Sequence, residues 1–229
     1  MVDHPIIFSA PMVRALMDGR KTQTRRLLTQ RNTLFDGRYA RWPNWLHERA
    51  FKWADAWVDP GPSPAGNPGP YLKLPVIGLF CDSENPQEQT VHRIYPRIQP
   101  GDRLYVREAH AFDGPVVRYY ATDDVHELRR KYPSIHMLRW ASRLTLTVTE
   151  VRVQRLQDIS EADADAEGAE ALRAENGPPE AEDLRSYAWG FQTLWNSLHG
   201  ADAWDANPWV IALTFTVQHG NIDKIGGAA

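Results

Sequence analysis

Met12, Ala15 and Leu16 recur at i, i+3 and i+4, which gives residues 11–18 one apolar helical face. Pro11 suits the first turn of such a helix, and Gly19 suits the stop behind it. The period then drops to two. Residues 22–28 set Thr22, Thr24 and Arg26 against Gln23, Arg25 and Leu27, which predicts a strand. Leu104 and Val106 alternate with Tyr105 and Arg107 after the turn signal Pro100-Gly101-Asp102, and predict another. Residues 116–121 are a further strand candidate. Residues 142–156 read as one long strand with Leu144, Leu146 and Val148 on one face. Val151 and Val153 carry the apolar side onward, so a bulge is expected near Glu150.

Helical spacing returns at Ser160-Glu161-Ala162-Asp163, which resembles a capping box. That helix is predicted to run to about Glu175, where Gly177-Pro178-Pro179 stops it. A second helix is predicted over about 183–198, with Phe191, Leu194, Trp195 and Leu198 as its apolar stripe. Residues 209–218, rich in β-branched and aromatic side chains, predict the last strand. Residues 220–229 read as a disordered tail.

Residues 30–95 follow neither period. They carry irregular aromatic and charged positions, a helix candidate near 44–57 and strand candidates near 71–80 and 89–95. Between these, five prolines and three glycines within residues 60–70 exclude a helix or central strand. The region reads as an insertion or lid on one domain spanning residues 1–219. Few helices among irregularly spaced strands, without repeated βαβ units, predict an α+β fold: a small mixed β-barrel with peripheral helices.

Composition narrows the chemistry. With 42% hydrophobic and 24% charged residues, the chain has the makings of a folded core. A net charge of -3 and a pI near 6.2 argue against a broad polyanion-binding surface but leave a local basic pocket open. Cys81 is the single cysteine, which excludes a disulfide framework and a cysteine-based zinc cluster. No apolar run reaches the roughly 18–20 residues that span a bilayer. The first residues lack a signal-peptide pattern, so a cytoplasmic location is expected. There is no glycine-rich phosphate loop, no G-x-S-x-G elbow and no histidine pair at metal-ligand spacing, so neither metal nor cofactor is expected. No obligate protein partner is evident.

The densest chemistry lies in Gly19-Arg20-Lys21-Thr22-Gln23-Thr24-Arg25-Arg26. Such a cluster either binds an anion or holds an amine beside a hydroxyl nucleophile. Two other groups stand out. Arg107-Glu108 ends a predicted strand. Residues 133–143 combine Trp140 with Arg139, Ser142 and Arg143, which suits stacking of a planar base whose edge the polar groups read. The plain alternative is a packed Trp140 with solvated arginines.

The run Gly19-Arg20-Lys21-Thr22-x-Thr24-x-Arg26 behind a short helix, with Pro100-Gly101-Asp102 and Leu156-Gln157-Asp158-Ile159-Ser160 leading to Ala166-Glu167-Gly168, resembles an ASCH domain. The likeness covers roughly residues 5–28 and 99–217. It implies a PUA-like β-barrel. One ASCH group removes the acetyl group of N4-acetylcytidine and carries the same Gly-Arg-Lys-Thr-x-Thr motif. The resemblance to that group implies a catalytic set of Lys21, Thr24 and Glu167, with Glu161 and Glu170 close to the last. Arg26, Arg107, Glu108, Arg139, Trp140 and Ser142 are then candidates for binding the substrate, a modified nucleoside.

The chemistry is coherent on its own terms. Amide cleavage needs a nucleophile, a proton acceptor and stabilisation of an oxyanion. Lys21 accepts a proton only if its pKa falls well below about 10.4, which burial and neighbouring cations promote. On a regular strand Lys21 and Thr24 face opposite sides, so Lys21 has to lie in the turn before the strand. The alternatives are a non-catalytic RNA or modified-base reader and a metal-independent ribonuclease.

Overall fold

The computed structural model describes residues 1–29, 33–35, 57–59, 71–75, 91–125, 128, 130–173 and 185–225. In chain order they form β1 (Asp3–Ile7), α1 (Ala10–Met17), β2 (Gln23–Leu27), β3 (Thr33–Phe35), β4 (Trp57–Asp59), β5 (Tyr71–Pro75) and β6 (Val91–Pro96). Then come β7 (Arg103–Arg107), β8 (His110–Asp113), β9 (Val116–Tyr119), β10 (Leu144–Arg155) and α2 (Glu161–Ala166). The last elements are β11 (Leu172–Arg173), β12 (Arg185–Ser186), α3 (Tyr187–His199) and β13 (Trp209–His219). The fold is α+β with a mostly sheet core. No helix among the described residues is long and apolar enough to cross a membrane.

The central sheet has the order β1-β7-β10-β13-β2, parallel between β1 and β7 and antiparallel elsewhere. Its strands carry two cores on opposite sides. Leu104, Val106, Leu144, Leu146, Val148, Ile211, Leu213 and Phe215 face Ile6, Phe8, Val13 and Leu16. On the other side, Val210 packs with Leu156, Ala164, Phe191 and Trp195 beneath α2 and α3. Strand alternation is what lets β13 feed both. The expected bulge is present: the β10–β13 register slips between Val148 and Glu150, and Val151 keeps its place in the first core.

Helix α1 buries Val13, Ala15 and Leu16, so the centre of its apolar face lies one residue beyond the Met12 stripe read from spacing. It ends at Met17 with Asp18 as its C-cap, and Gly19 follows at φ 73°. Ser160 caps α2 as expected, accepting the Asp163 backbone N–H at 3.1 Å. The helix is much shorter than its acidic run predicted. It stops at Ala166, because Gly168 turns the chain at φ 76°. Residues 169–173 then lead into β11, which pairs with β12. Helix α3 starts at Tyr187 rather than near 183, where Glu161 Oε1 accepts the Ser186 hydroxyl and Oε2 the Tyr187 N–H. Gly190 lets α3 lie against the Glu170 carbonyl, which leaves no room for a Cβ.

Gly168 is also a close-approach position. A Cβ there would stand 3.2 Å from Cβ of both Ala15 and Lys21. Gly168→Ala should therefore combine left-handed backbone strain with crowding and lower stability by about 1–3 kcal/mol. Urea unfolding measures this, and a variant as stable as wild type would contradict it.

Two further regions differ from the sequence reading. The expected strand pair of the insertion appears as β5 and β6, antiparallel in a small sheet of order β3-β6-β5-β4. The helix expected near 44–57 falls almost wholly outside the described residues, and Trp57 begins β4. At the other end, residues 220–225 are not a loose tail. Ile222 is fully buried, and Arg103 donates to the Ile222 and Ile225 carbonyls. The Asn221 amide donates to the carbonyls of Arg139, Trp140 and Ser142, which fastens this segment beside residues 139–142.

Candidate functional site

Lys21 lies in the turn between α1 and β2, where its backbone N–H donates to the Ala15 carbonyl. Thr22 is tied on both sides: its N–H donates to Ala166 and its carbonyl accepts from Phe215. The turn therefore sets Lys21 against the end of α2 before the pleat of β2 begins, which removes the conflict of strand parity. Within β2 the alternation is as read. Thr24 and Arg26 register with Leu213 and Ile211 and share their face, while Gln23, Arg25 and Leu27 point to α2 and α3.

The Lys21 side chain is 2% exposed, and its Nζ donates to two acceptors of one residue. These are the Glu167 carbonyl at 2.7 Å and Glu167 Oε2 at 2.8 Å. Of the acidic side chains near α2, Glu167 is thus the one that meets the lysine; Glu161 is committed to Ser186 and Tyr187. The other Glu167 oxygen, Oε1, accepts Arg25 Nη1 at 3.1 Å. Arg25 Nη2 lies 3.0 Å from Asp163 Oδ2, and Asp163 is held in turn by Gln23 and Arg152. A chain of alternating charge, Lys21–Glu167–Arg25–Asp163–Arg152, results.

Burial is the largest influence on Lys21 and pushes its pKa down. The Glu167 carboxylate pulls the other way, but it is shared with Arg25, and Arg26 and Arg25 add to the downward push. The balance favours the neutral amine relative to free lysine. Asp163 shows the contrary outcome. Burial raises it, yet its bonds from Arg152 and Gln23 and the charges of Arg152 and Arg25 win and hold it at about 2.

Phe8 joins the remaining parts. Its ring lies 5.5 Å from Lys21 Nζ and 5.1 Å from the Arg26 guanidinium, so Lys21 and the Thr24–Arg26 face meet on the Phe8 side. Arg26 Nη2 also donates 2.8 Å to the Ile7 carbonyl, reaching from one edge strand of the central sheet to the other. Thr24 is 1% exposed. Phe8 and Arg25 carry no motif signal of their own: one is a lone aromatic and the other reads as supporting charge within a basic run.

The other sequence candidates fall into separate groups. Glu108 is buried and takes a two-pronged bond from Arg143, at 2.8 Å from Nε and 3.0 Å from Nη2. The Ser142 hydroxyl lies against the Val106 and Leu144 carbonyls, a backbone-tying position. Arg139 pairs with Asp3 and Asp223 and thereby anchors residues 220–225. Arg107 donates to the Ile135 carbonyl, and Trp140 is 57% exposed. No hydrogen bond or ion pair among the described residues joins these five to Lys21, Thr24 or Glu167. Among the described residues no group of three or more His, Cys, Asp or Glu side chains has metal-binding proximity.

A separate cleft of about 590 Å³ lies between α1 and α3. Met12, Ala15, Gly168, Leu172 and Leu194 line it, with Arg20 and Glu170 beside them. Comparison with family models, with curated proteins and with solved structures finds no significant match.

Proposed function

We propose that the chain is an ASCH, PUA-like barrel that hydrolyses N4-acylated cytosine nucleosides to cytidine and a carboxylate. The observation that carries this reading is the Lys21–Glu167 pair: a buried amine with a lowered pKa, positioned by the motif the resemblance picks out. The Arg26 bond across the two edge strands supports the barrel part. In the reaction, water adds across the amide. Neutral Lys21 takes the proton of the attacking oxygen, either the Thr24 hydroxyl or a water that Thr24 holds. The resulting ammonium returns the proton to the departing N4 amine. If Thr24 attacks, its acyl ester is hydrolysed by water with the same lysine as base. Glu167 orients Lys21, and Arg26 supplies charge for the oxyanion.

The site's charges speak against the phosphate-contact reading of the same cluster. Lys21 and Arg25 are buried on Glu167, and Arg20 pairs with Asp18 at 3.1 Å. A different observation favours a second reading. Lys21 and Thr24 are almost closed to solvent, as in a structural ion pair, so an acyl group reaches them only after side chains over them move.

Incubation with N4-acetylcytidine and chromatography of the products decides the matter. Cytidine should accumulate with one equivalent of acetate, without added metal. No cytidine from acetyl, propionyl or benzoyl substrates would sink the enzyme reading.

A further inference from the structure

Asp163 and Glu167 stand four residues apart at the end of α2, so one face turns two carboxylates toward β2. Arg25 meets both. Its Nη1 donates to Glu167 Oε1 at 3.1 Å, and its Nη2 lies 3.0 Å from Asp163 Oδ2. Gln23 Oε1 also accepts Nη1, at 3.3 Å, and the Phe191 ring of α3 lies 5.8 Å from the guanidinium carbon. The Arg25 side chain has no exposed surface. A planar fork can span two carboxylates in this way, whereas an ammonium is a single point charge.

The consequence falls on Glu167. Its two oxygens serve different cations, Oε1 Arg25 and Oε2 Lys21. Three charged groups bear on the Lys21 amine: Glu167 from the end of α2, and Arg26 and Arg25 from β2. Helix α1 offers the Ala15 carbonyl to the Lys21 backbone, and Phe8, just beyond β1, places its ring near the amine. Arg26 donates to the Ile7 carbonyl, so among the described residues the hydrogen bonds to the Glu167 carboxylate come from Lys21 and Arg25.

We infer that Arg25 is a positioning residue for the Lys21 site: it holds one oxygen of Glu167, so Lys21 shares its counter-ion and remains able to take a proton. This role rests on Lys21 acting as the proton acceptor of the proposed reaction. An undivided carboxylate 2.8 Å away would hold the ammonium form. Without any carboxylate the amine would lose its aim. Arg25 sets the balance between these extremes. Asp163, gripped in turn by Arg152 and Gln23, keeps the fork in place. A mere tie between β2 and α2 would stabilise the fold without altering how readily Lys21 gives up its proton.

The experiment follows the Lys21 amine directly. The chain has five lysines, so isotope labelling at the lysine ε-carbon gives few NMR signals, and Lys21→Met identifies the one from Lys21. Its titration midpoint should rise by about one pH unit in Arg25→Gln and Arg25→Met, because Glu167 then serves Lys21 alone. The kcat/KM profile on N4-acetylcytidine should move up with it, a loss of about tenfold at a pH below both midpoints. Arg25→Lys returns a cation to Glu167 and should recover most of the shift, while its loss of the fork to Asp163 leaves it less stable than wild type. In the neutral variants each carboxylate keeps a cation, Glu167 on Lys21 and Asp163 on Arg152, and thermal melts check folding. Asp163→Asn is a second probe that leaves Arg25 in place. Released from Asp163, the guanidinium leans on Glu167, and the midpoint should fall. A midpoint unmoved in folded Arg25→Gln and Arg25→Met, or one that rises in Asp163→Asn, overturns the role. A midpoint that moves as expected in a protein that releases no cytidine upholds the division of charge by Arg25 and counts against the hydrolysis alone.

Discussion

Glu167→Gln should lower stability by about 3–5 kcal/mol, a drop of about 6–20 °C in Tm. Glu167 is the carboxylate shared by two cations that are themselves buried, at 2.8 Å from Lys21 Nζ and 3.1 Å from Arg25 Nη1. The amide keeps the size of the side chain and removes its charge. The amide oxygen can still accept from one of the two cations, but the charge they share is gone: Lys21 keeps the Glu167 backbone carbonyl, and Arg25 keeps Asp163 and Gln23. Removing one partner leaves uncompensated charge in a low-dielectric site, and that penalty exceeds what the pair contributes against apolar replacements. Lys21→Met combined with Glu167→Gln should therefore cost clearly less than the two single losses added together. Chemical denaturation of the four proteins measures the coupling. Additive losses would mean that the two groups do not act as a unit.

The regular parts of the fold were legible where one periodicity ran unbroken. Strand β2 and the long β10 with its bulge follow from alternation, because each turns a face to the first core, and the closing β13 follows from its β-branched and aromatic composition. What misled the reading was local. Residues after Ala166 are good helix formers, yet Gly168 takes a left-handed turn that brings the chain within contact of Ala15 and Lys21. That is a tertiary demand with no periodic trace. The C-terminal segment looked disordered for the converse reason. Its order comes from Asn221 and from Arg103 and Arg139, more than 75 positions away in sequence.

The candidate site was half legible. Lys21 and Glu167 are 146 residues apart in sequence and meet in the structure. Spacing alone does not distinguish Glu167 from Glu161; the turn after α2 does, by placing the Glu167 carbonyl and carboxylate on the same amine. In the second cluster, Arg139, Ser142 and Arg143 were the groups expected to read a base edge beside Trp140, and each has a protein partner in the structure. Trp140 alone of that segment keeps an open ring. Whether an arginine is free depends on a carboxylate distant in sequence, which no local pattern reveals.

Lys21→Met should reduce kcat/KM on N4-acetylcytidine by about 10²–10⁴-fold, the usual contribution of a positioned general base. The pH dependence separates this from a purely structural loss. Burial holds the Lys21 pKa below its ordinary value of about 10.4, so kcat/KM should rise with pH as the ammonium loses its proton, with a midpoint under 10.4. Stability should move in the same direction. A lysine whose folded pKa is lowered binds its proton less tightly when folded. Its charged form thus costs stability at every pH below the depressed value, and that cost is relieved as pH climbs from there toward 10.4. Lys21→Met should remove both rises, while Lys21→Arg, permanently charged, should stay folded and inactive. Thr24→Val should match the loss of activity, and Thr24→Ser should recover much of it. A Lys21→Met protein that is less stable but turns over at the wild-type rate would leave the pair as a structural tie. The same result would detach the amide chemistry from this motif, because no other buried amine stands on the Phe8 side among the described residues.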